Sequence, residues 1–134
     1  MPLHIKLKPN ERMIINGASI CNGDRGTSFM IESQCKFLRE TEIVRESEVD
    51  TLCKKLALIV QVIHLSENSD ETNNMFNVHA LEIVRIMPAL ASKILEIQGY
   101  IMSGETYQAV KAGRQLIQLE RDLLKQAENE RGVA

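Results

Sequence analysis

Tryptophan is absent from this chain of 134 residues, and aromatic residues make up only 4% of it. So few rings argue against a site for carbohydrates or for a flat cofactor, because such ligands are held largely by aromatic side chains. No apolar run approaches the roughly 20 residues that a membrane helix needs; the longest, Leu56–Val60, is five residues. The start of the chain also lacks the apolar core of a secretory signal. We therefore expect neither a membrane span nor export.

Cysteine is scarce as well, with three residues, Cys21, Cys35 and Cys53, far apart in the sequence. An odd number of widely spaced cysteines does not make a disulfide framework, which favours a reducing, cytoplasmic location. Neither these cysteines nor the three histidines have the short spacings of metal ligands. The chain has no glycine-rich phosphate loop and no nucleophile signature. We expect no metal, no cofactor and no enzymatic activity.

The charge is unevenly distributed along the chain. The net charge is −2, yet residues 1–39 carry six basic and three acidic side chains. Residues 40–134 carry ten basic and fifteen acidic side chains. A basic first third on an acidic remainder indicates two surfaces with different partners, although ordinary scatter in composition is the simpler explanation.

The first 40 residues have the patterns of short strands and tight turns. Apolar and polar residues alternate over Leu3–Leu7, as in a half-buried strand. Asn16-Gly17 is a strong hairpin signal, and residues 22–26 predict a second, longer turn. Phe29 and Phe37 are interpreted as core residues, with base stacking as the alternative. The result is a small antiparallel β-meander of four or five strands.

Residues 47–130 change to a helical period and contain three predicted helices. The first follows a capping box at Ser47–Asp50 and ends near Ser66; the second covers about Glu71–Met102; the third covers about Thr106–Glu130, after a left-handed cap at Ser103-Gly104. Residues 67–70 are predicted to form a loop, and residues 131–134 to fray. The heptad spacing of the last helix fits a helical hairpin within one chain as well as a coiled-coil dimer. It therefore does not decide between a monomer and a homo-oligomer.

The middle predicted helix is apolar on nearly all sides. Its thin polar stripe comprises Glu82, Arg85, Lys93 and Glu96. A helix of this kind is either central in the fold or buried against a partner. Pro88 lies inside it and is expected to kink or split it. Together the patterns predict a single α+β domain, residues 1–134, with the β-meander packed on the helical bundle.

Several stretches together resemble the FlbT family of flagellin regulators. They are Met1–Arg12, Ile15–Ala18, Asn22–Arg25, Leu38–Glu40, Gly104–Ala112 and Leu116–Glu120. The resemblance covers nearly the whole chain, in matching order. It implies a cytoplasmic protein of flagellated alphaproteobacteria that acts after transcription. Members bind the leader of flagellin messenger RNA and lower flagellin synthesis, beside a small companion protein, FlaF, of opposing effect.

This resemblance, combined with charge, suggests where RNA would bind. Five basic residues lie within the resembling motifs or beside them: Lys6, Lys8, Arg12, Arg25 and Arg39. Lysine and arginine supply sequence-independent affinity for phosphates, and single-stranded RNA is often held on a sheet. The alternative is an adaptor or chaperone of flagellar assembly, because an apolar helical hairpin suits capture of a helix from flagellin or from the companion.

Overall fold

The structure is a computed structural model that describes residues 2–66 and 70–132. The chain divides into two compact units, Met1–Ile43 (unit 1) and Val44–Ala134 (unit 2). Unit 1 contains antiparallel strands and unit 2 contains helices, so the α+β class and the change of period near residue 40 are confirmed. The single-domain organisation stays a prediction.

The described residues of unit 1 form five strands in two small antiparallel sheets. They are β1 (Leu3–Leu7), β2 (Arg12–Ile15), β3 (Ala18–Cys21), β4 (Thr27–Ile31) and β5 (Phe37–Arg39). One sheet pairs β1 with β4, and the other has the order β3-β2-β5. The expected meander is therefore corrected, because β1 pairs across the β2–β3 hairpin rather than with β2.

The two sheets share one apolar core, which explains this pairing. Ile5 and Leu7 of β1 and Met13 of β2 are buried together, and Phe29 and Phe37 pack against them. A single meander would leave one apolar face bare, whereas two sheets cover each other's face. The interpretation of both phenylalanines as core residues is confirmed.

The β2–β3 connection is the predicted two-residue hairpin. Asn16 and Gly17 both have positive φ, 48° and 83°, as a type I′ turn requires. The Asn16 side chain also accepts a hydrogen bond from the Lys36 backbone N–H at 2.9 Å, and the Asn16 N–H donates to the Lys36 carbonyl at 2.7 Å. The turn is thus tied to the segment that leads into β5.

The described residues of unit 2 form four α-helices rather than three. They are α1 (Leu52–Leu65), α2 (Asp70–Ile86), α3 (Ala91–Met102) and α4 (Thr106–Gly132). Pro88 splits the predicted middle helix, because its ring excludes a helical hydrogen bond, and Pro88–Leu90 forms a short 3₁₀ turn. Of the predicted loop, residues 67–69 lie outside the described residues and Asp70 instead begins α2. Of the tail expected to fray, residues 131–132 instead belong to α4, and residues 133–134 lie outside the described residues.

The start of α1 differs from the predicted capping box. Residues Glu46–Glu48 form a separate 3₁₀ turn. Thr51 is the N-cap, and its hydroxyl accepts a hydrogen bond from the Lys54 N–H at 3.2 Å. At the other end of the bundle, Gly104 has φ 80°, so the predicted left-handed cap is confirmed.

Small residues let α1 and α4 approach closely. Ala109 and Ala112 of α4 are buried, and Gly113 lies against Ala57 of α1. Three buried polar groups each have a partner: Gln61 bonds both backbone groups of Val44, His64 bonds Thr106, and Glu120 accepts the Cys53 N–H.

The former middle helix has more exposed apolar surface than its pattern predicts. Glu82, Arg85 and Glu96 are exposed as expected, and Lys93 is half-buried and paired with Glu96 at 2.7 Å. Leu81 and Leu95 are also 68% and 66% exposed. The apolar residues of this segment are therefore only partly buried within the described residues.

No helix within residues 2–66 and 70–132 is long and apolar enough to cross a bilayer.

Candidate nucleic-acid interface

Three of the five predicted basic residues, Lys8, Arg12 and Arg25, lie at or beside two turns of unit 1 that are bonded to each other. The turn between β1 and β2 contains Asn10, with φ 62°, and the turn between β3 and β4 contains Asn22 and Gly23. The Asn10 N–H donates to the Gly23 carbonyl at 2.8 Å, and the Asn22 N–H donates to the Glu11 carbonyl at 2.9 Å. These backbone bonds place Lys8 and Arg12, which flank one turn, beside Arg25 in the other.

The side chain of Asn22 is the main link between the turns. Its amide nitrogen lies 2.8 Å from the Lys8 carbonyl oxygen, 2.9 Å from that of Arg25 and 3.4 Å from that of Leu7. One amide group therefore holds the backbones of two of the basic residues together. Lys8 and Arg25 are both exposed, and Asn22 contacts their carbonyl groups rather than their side chains.

Lys6 and Arg39 are in contact in unit 1. The Arg39 side chain is bonded to other residues, whereas Lys6 is exposed. Lys6 is on the exposed side of β1, opposite Ser28 of β4. The Arg39 guanidinium donates to the Lys6 carbonyl and lies 3.9 Å from the Glu11 carboxylate. Arg39 is thus an anchor between β5 and β1, and its charge is partly compensated by Glu11.

The remaining four cations form the basic edge: Lys6, Lys8, Arg12 and Arg25. All four are exposed, and none forms an ion pair within the residues that the structure describes. Asp24, beside Arg25, adds one exposed negative charge. Glu11 bonds the Lys8 N–H at 2.8 Å besides lying near Arg39. The basic edge can therefore attract a polyanion, and its cations are not occupied by the protein's own acids.

The role of Asn22 was missed by sequence reasoning, which interpreted residues 22–26 only as a turn. The signal present was an asparagine directly before glycine, since asparagine side chains commonly bond backbone groups in turns. Its partners on Leu7 and Lys8 are distant in sequence, so the pattern alone did not indicate them.

The two phenylalanines of unit 1 do not extend the basic edge. Both belong to the apolar core rather than to the outer surface. Binding here would depend on charge and on hydrogen bonds rather than on base stacking.

Unit 2 contains an apolar groove and a buried cysteine. No cluster of potential metal ligands occurs among the described residues. Burial, and then the neighbouring Glu120 carboxylate, raise the pKa of the Cys53 thiol far above its usual range, which is opposite to the needs of a nucleophile. Between α2 and α3 an apolar groove of about 290 Å³ is lined by residues that include Phe76, Leu81 and Leu95.

The chain is similar in sequence to known flagellar proteins. The family model described as "Flagellar protein FlbT" matches residues 3–124. The "Probable flagellum biosynthesis repressor protein FlbT" of Rhodopseudomonas palustris (strain TIE-1) is 32% identical, over 92% of this chain and 98% of that protein. The "Flagellum biosynthesis repressor protein FlbT" of Caulobacter vibrioides (strain ATCC 19089 / CIP 103742 / CB 15) is 28% identical, over 92% and 90%. No solved structure matches the chain.

Proposed function

The chain belongs to the FlbT family of flagellar proteins, and we propose that it represses flagellum biosynthesis by binding the leader of flagellin messenger RNA through the basic edge. The relatives are named as repressors of flagellum biosynthesis, which supports the repressor role. The RNA target and a cytoplasmic site of action are part of the proposal. The observation that carries it is a set of four exposed cations, three of them at two interlocked turns, none of which forms an ion pair within the residues that the structure describes.

The chemistry of the basic edge suits a flexible, single-stranded polyanion. Each lysine or arginine that meets a phosphate releases a counterion, so affinity comes mostly from charge and falls as salt rises. The interlocked turns fix the backbones of Lys8 and Arg25, which lowers the entropy lost when both side chains bind one strand. The core position of both phenylalanines removes the usual stacking contribution of sheet-based RNA binders.

The direct test is a titration of flagellin leader RNA with the purified protein at several salt concentrations. If three to five phosphates are neutralised, the slope of log affinity against log salt is about −2 to −3.5, at roughly 0.7 per phosphate. Replacing Lys8 and Arg25 together with alanine is expected to flatten the slope by about 1.4. Their backbone carbonyls, which Asn22 binds, are kept in this variant.

A matched control removes the same number of charges from unit 2. Lys55 and Lys125 are both exposed on helices, and replacing both with alanine is expected to leave affinity and slope nearly unchanged. Equal affinity at low and high salt, or equal losses in the two double variants, would contradict binding at the basic edge.

A second candidate function is supported by the groove between α2 and α3. In this alternative the protein is an adaptor that captures a helix of flagellin or of the companion FlaF. The groove combines apolar walls with the Asn77 and Gln98 side chains, and the Asn73 Oδ1 atom nearby is buried without a hydrogen-bond partner in the described structure. Capture of a helix through apolar contacts depends little on salt, so the salt titration separates the two functions.

A further inference from the structure

The outward side of α2 is an unusual mixture of apolar and charged residues. Val78, Leu81 and Ile86 are 66%, 68% and 57% exposed. Glu82 and Arg85 lie among them and are exposed as well. Together these five residues are called the α2 face. Neighbouring apolar side chains exposed to this degree commonly mark an interaction site.

The α2 face contains one negative and one positive side chain, Glu82 and Arg85. Neither Glu82 nor Arg85 forms an ion pair with any residue in 2–66 or 70–132. They are opposite in sign and three positions apart, so they lie on one side of the helix. The face therefore has no net charge, yet it has a defined order of positive and negative groups along the helix axis.

This order identifies the occupant by charge complementarity. A two-fold axis brings a surface against a copy of itself, so residue i meets residue j and residue j meets residue i. When two α2 helices run antiparallel with the axis midway between positions 82 and 85, Glu82 of each copy meets Arg85 of the other. In the same register Leu81 meets Ile86 of the partner subunit. Both the charged and the apolar groups then find suitable contacts.

We propose that the α2 face binds the α2 face of a second copy of this chain, and forms a two-fold symmetric dimer with antiparallel α2 helices. The interface is separate from the basic edge, which lies in unit 1, and does not depend on the RNA-binding proposal. It shares one residue, Leu81, with the α2–α3 groove, whose other lining residues lie outside the α2 face.

The test is sedimentation equilibrium of the full chain over a range of concentrations, with charge-reversed variants. The unmodified chain is expected to dimerise. Glu82→Arg and Arg85→Glu each place like charges opposite one another twice, so each is expected to weaken the dimer at least about tenfold. The variant that carries both reversals restores opposite charges and is expected to dimerise again.

Mixing the two single variants gives the most specific result. A chain with arginine at both positions meets a chain with glutamate at both, so a heterodimer is expected although neither variant dimerises well alone. Glu128→Arg, on the exposed side of α4, is the matched control and is expected to leave dimerisation unchanged. Thermal unfolding of every variant by circular dichroism checks that the fold is kept.

Three results would overturn the proposal. The first is an unmodified chain that stays monomeric at every concentration. If that monomer binds an added flagellin or companion helix, the partner of the α2 face is that helix and not a second copy. The second is a dimer that tolerates both single reversals. The third is a dimer weakened by Glu128→Arg instead, which would place the interface on the heptad positions of α4.

Discussion

Replacing Asn22 with alanine tests whether the two turns act as one binding element. The substitution changes no charge, yet it removes the amide that bonds the Lys8 and Arg25 carbonyls and approaches that of Leu7. Each such bond contributes about 0.5–1.5 kcal/mol net. Two of the three are solvent-exposed, where water can replace the lost donor, so the total loss is about 1–2 kcal/mol of unfolding free energy.

The same variant is expected to weaken RNA binding, because the two cations are no longer held side by side. Fluorescence anisotropy of labelled leader RNA would show a lower affinity, while the salt slope stays nearly unchanged because every charge is still present. Urea denaturation, followed by circular dichroism, gives the stability change. Asn22→Asp is a companion variant of the same size, and it is expected to be worse on both measures, since a carboxylate would face three carbonyl oxygens.

Asn16 provides the control, because it also lies in a tight turn of unit 1 but away from the basic edge. Its replacement by glycine keeps the left-handed backbone and removes the bond to the Lys36 N–H. This variant is expected to lose stability without losing RNA affinity beyond the unfolded fraction. If Asn22→Ala kept full affinity and full stability, the reasoning that joins the two turns would be refuted.

Four further predictions concern buried residues of unit 2 and, in the last of them, Cys21 of unit 1. Glu120→Leu is expected to lower the free energy of unfolding by about 1–3 kcal/mol in urea denaturation, because it leaves the buried Cys53 N–H without its acceptor. Glu120→Gln keeps an acceptor and is expected to lower it less. Equal losses in the two variants would contradict this reasoning. Gly113→Ala is expected to raise the unfolding free energy by about 0.5–1 kcal/mol, since the added methyl would lie 3.6 Å from the Ala57 Cβ, an ordinary contact; a lower melting temperature would argue against it. Burial raises the pKa of the Cys53 thiol, so above about pH 8.5 only the unfolded state loses the thiol proton. The free energy of unfolding therefore falls by up to about 1.4 kcal/mol per pH unit in that range. Cys53→Ala is expected to reduce this dependence of stability on pH. A thiol reagent is accordingly expected to label exposed Cys21 in the folded chain and Cys53 only after unfolding, and rapid labelling of both would contradict it.

The parts of unit 1 that depend on neighbouring residues were predictable. The Asn16-Gly17 turn and the alternation in β1 are encoded within a few positions, and both are confirmed. The pairing of β1 with β4 was not predictable in this way, because it joins Leu3 to Ile31 and Leu7 to Thr27. Local patterns are compatible with either partner for β1, and the shared core of the two sheets decides between them.

The same distinction holds for the helices and for the basic edge. Pro88 indicated a kink or a split, but the chain around it decides which, and the structure has a 3₁₀ turn between two helices. The exposure of Lys6 and Lys8 followed from alternation along β1. The capture of Arg39 by the Lys6 carbonyl and Glu11 did not, since these groups meet only in the folded unit.

The nesting of the β2–β3 hairpin inside the β1–β4 pair has a consequence for the order of folding. The hairpin joins residues close in sequence, whereas β1 and β4 must close a loop that contains the whole hairpin. Forming the hairpin first shortens the flexible part of that loop, which lowers the entropy needed to close it. Local contacts also form faster than distant ones. We therefore expect the Asn16-Gly17 hairpin to form before β1 pairs with β4, and a substitution that disfavours positive φ at Gly17 to slow that pairing as well as to reduce stability.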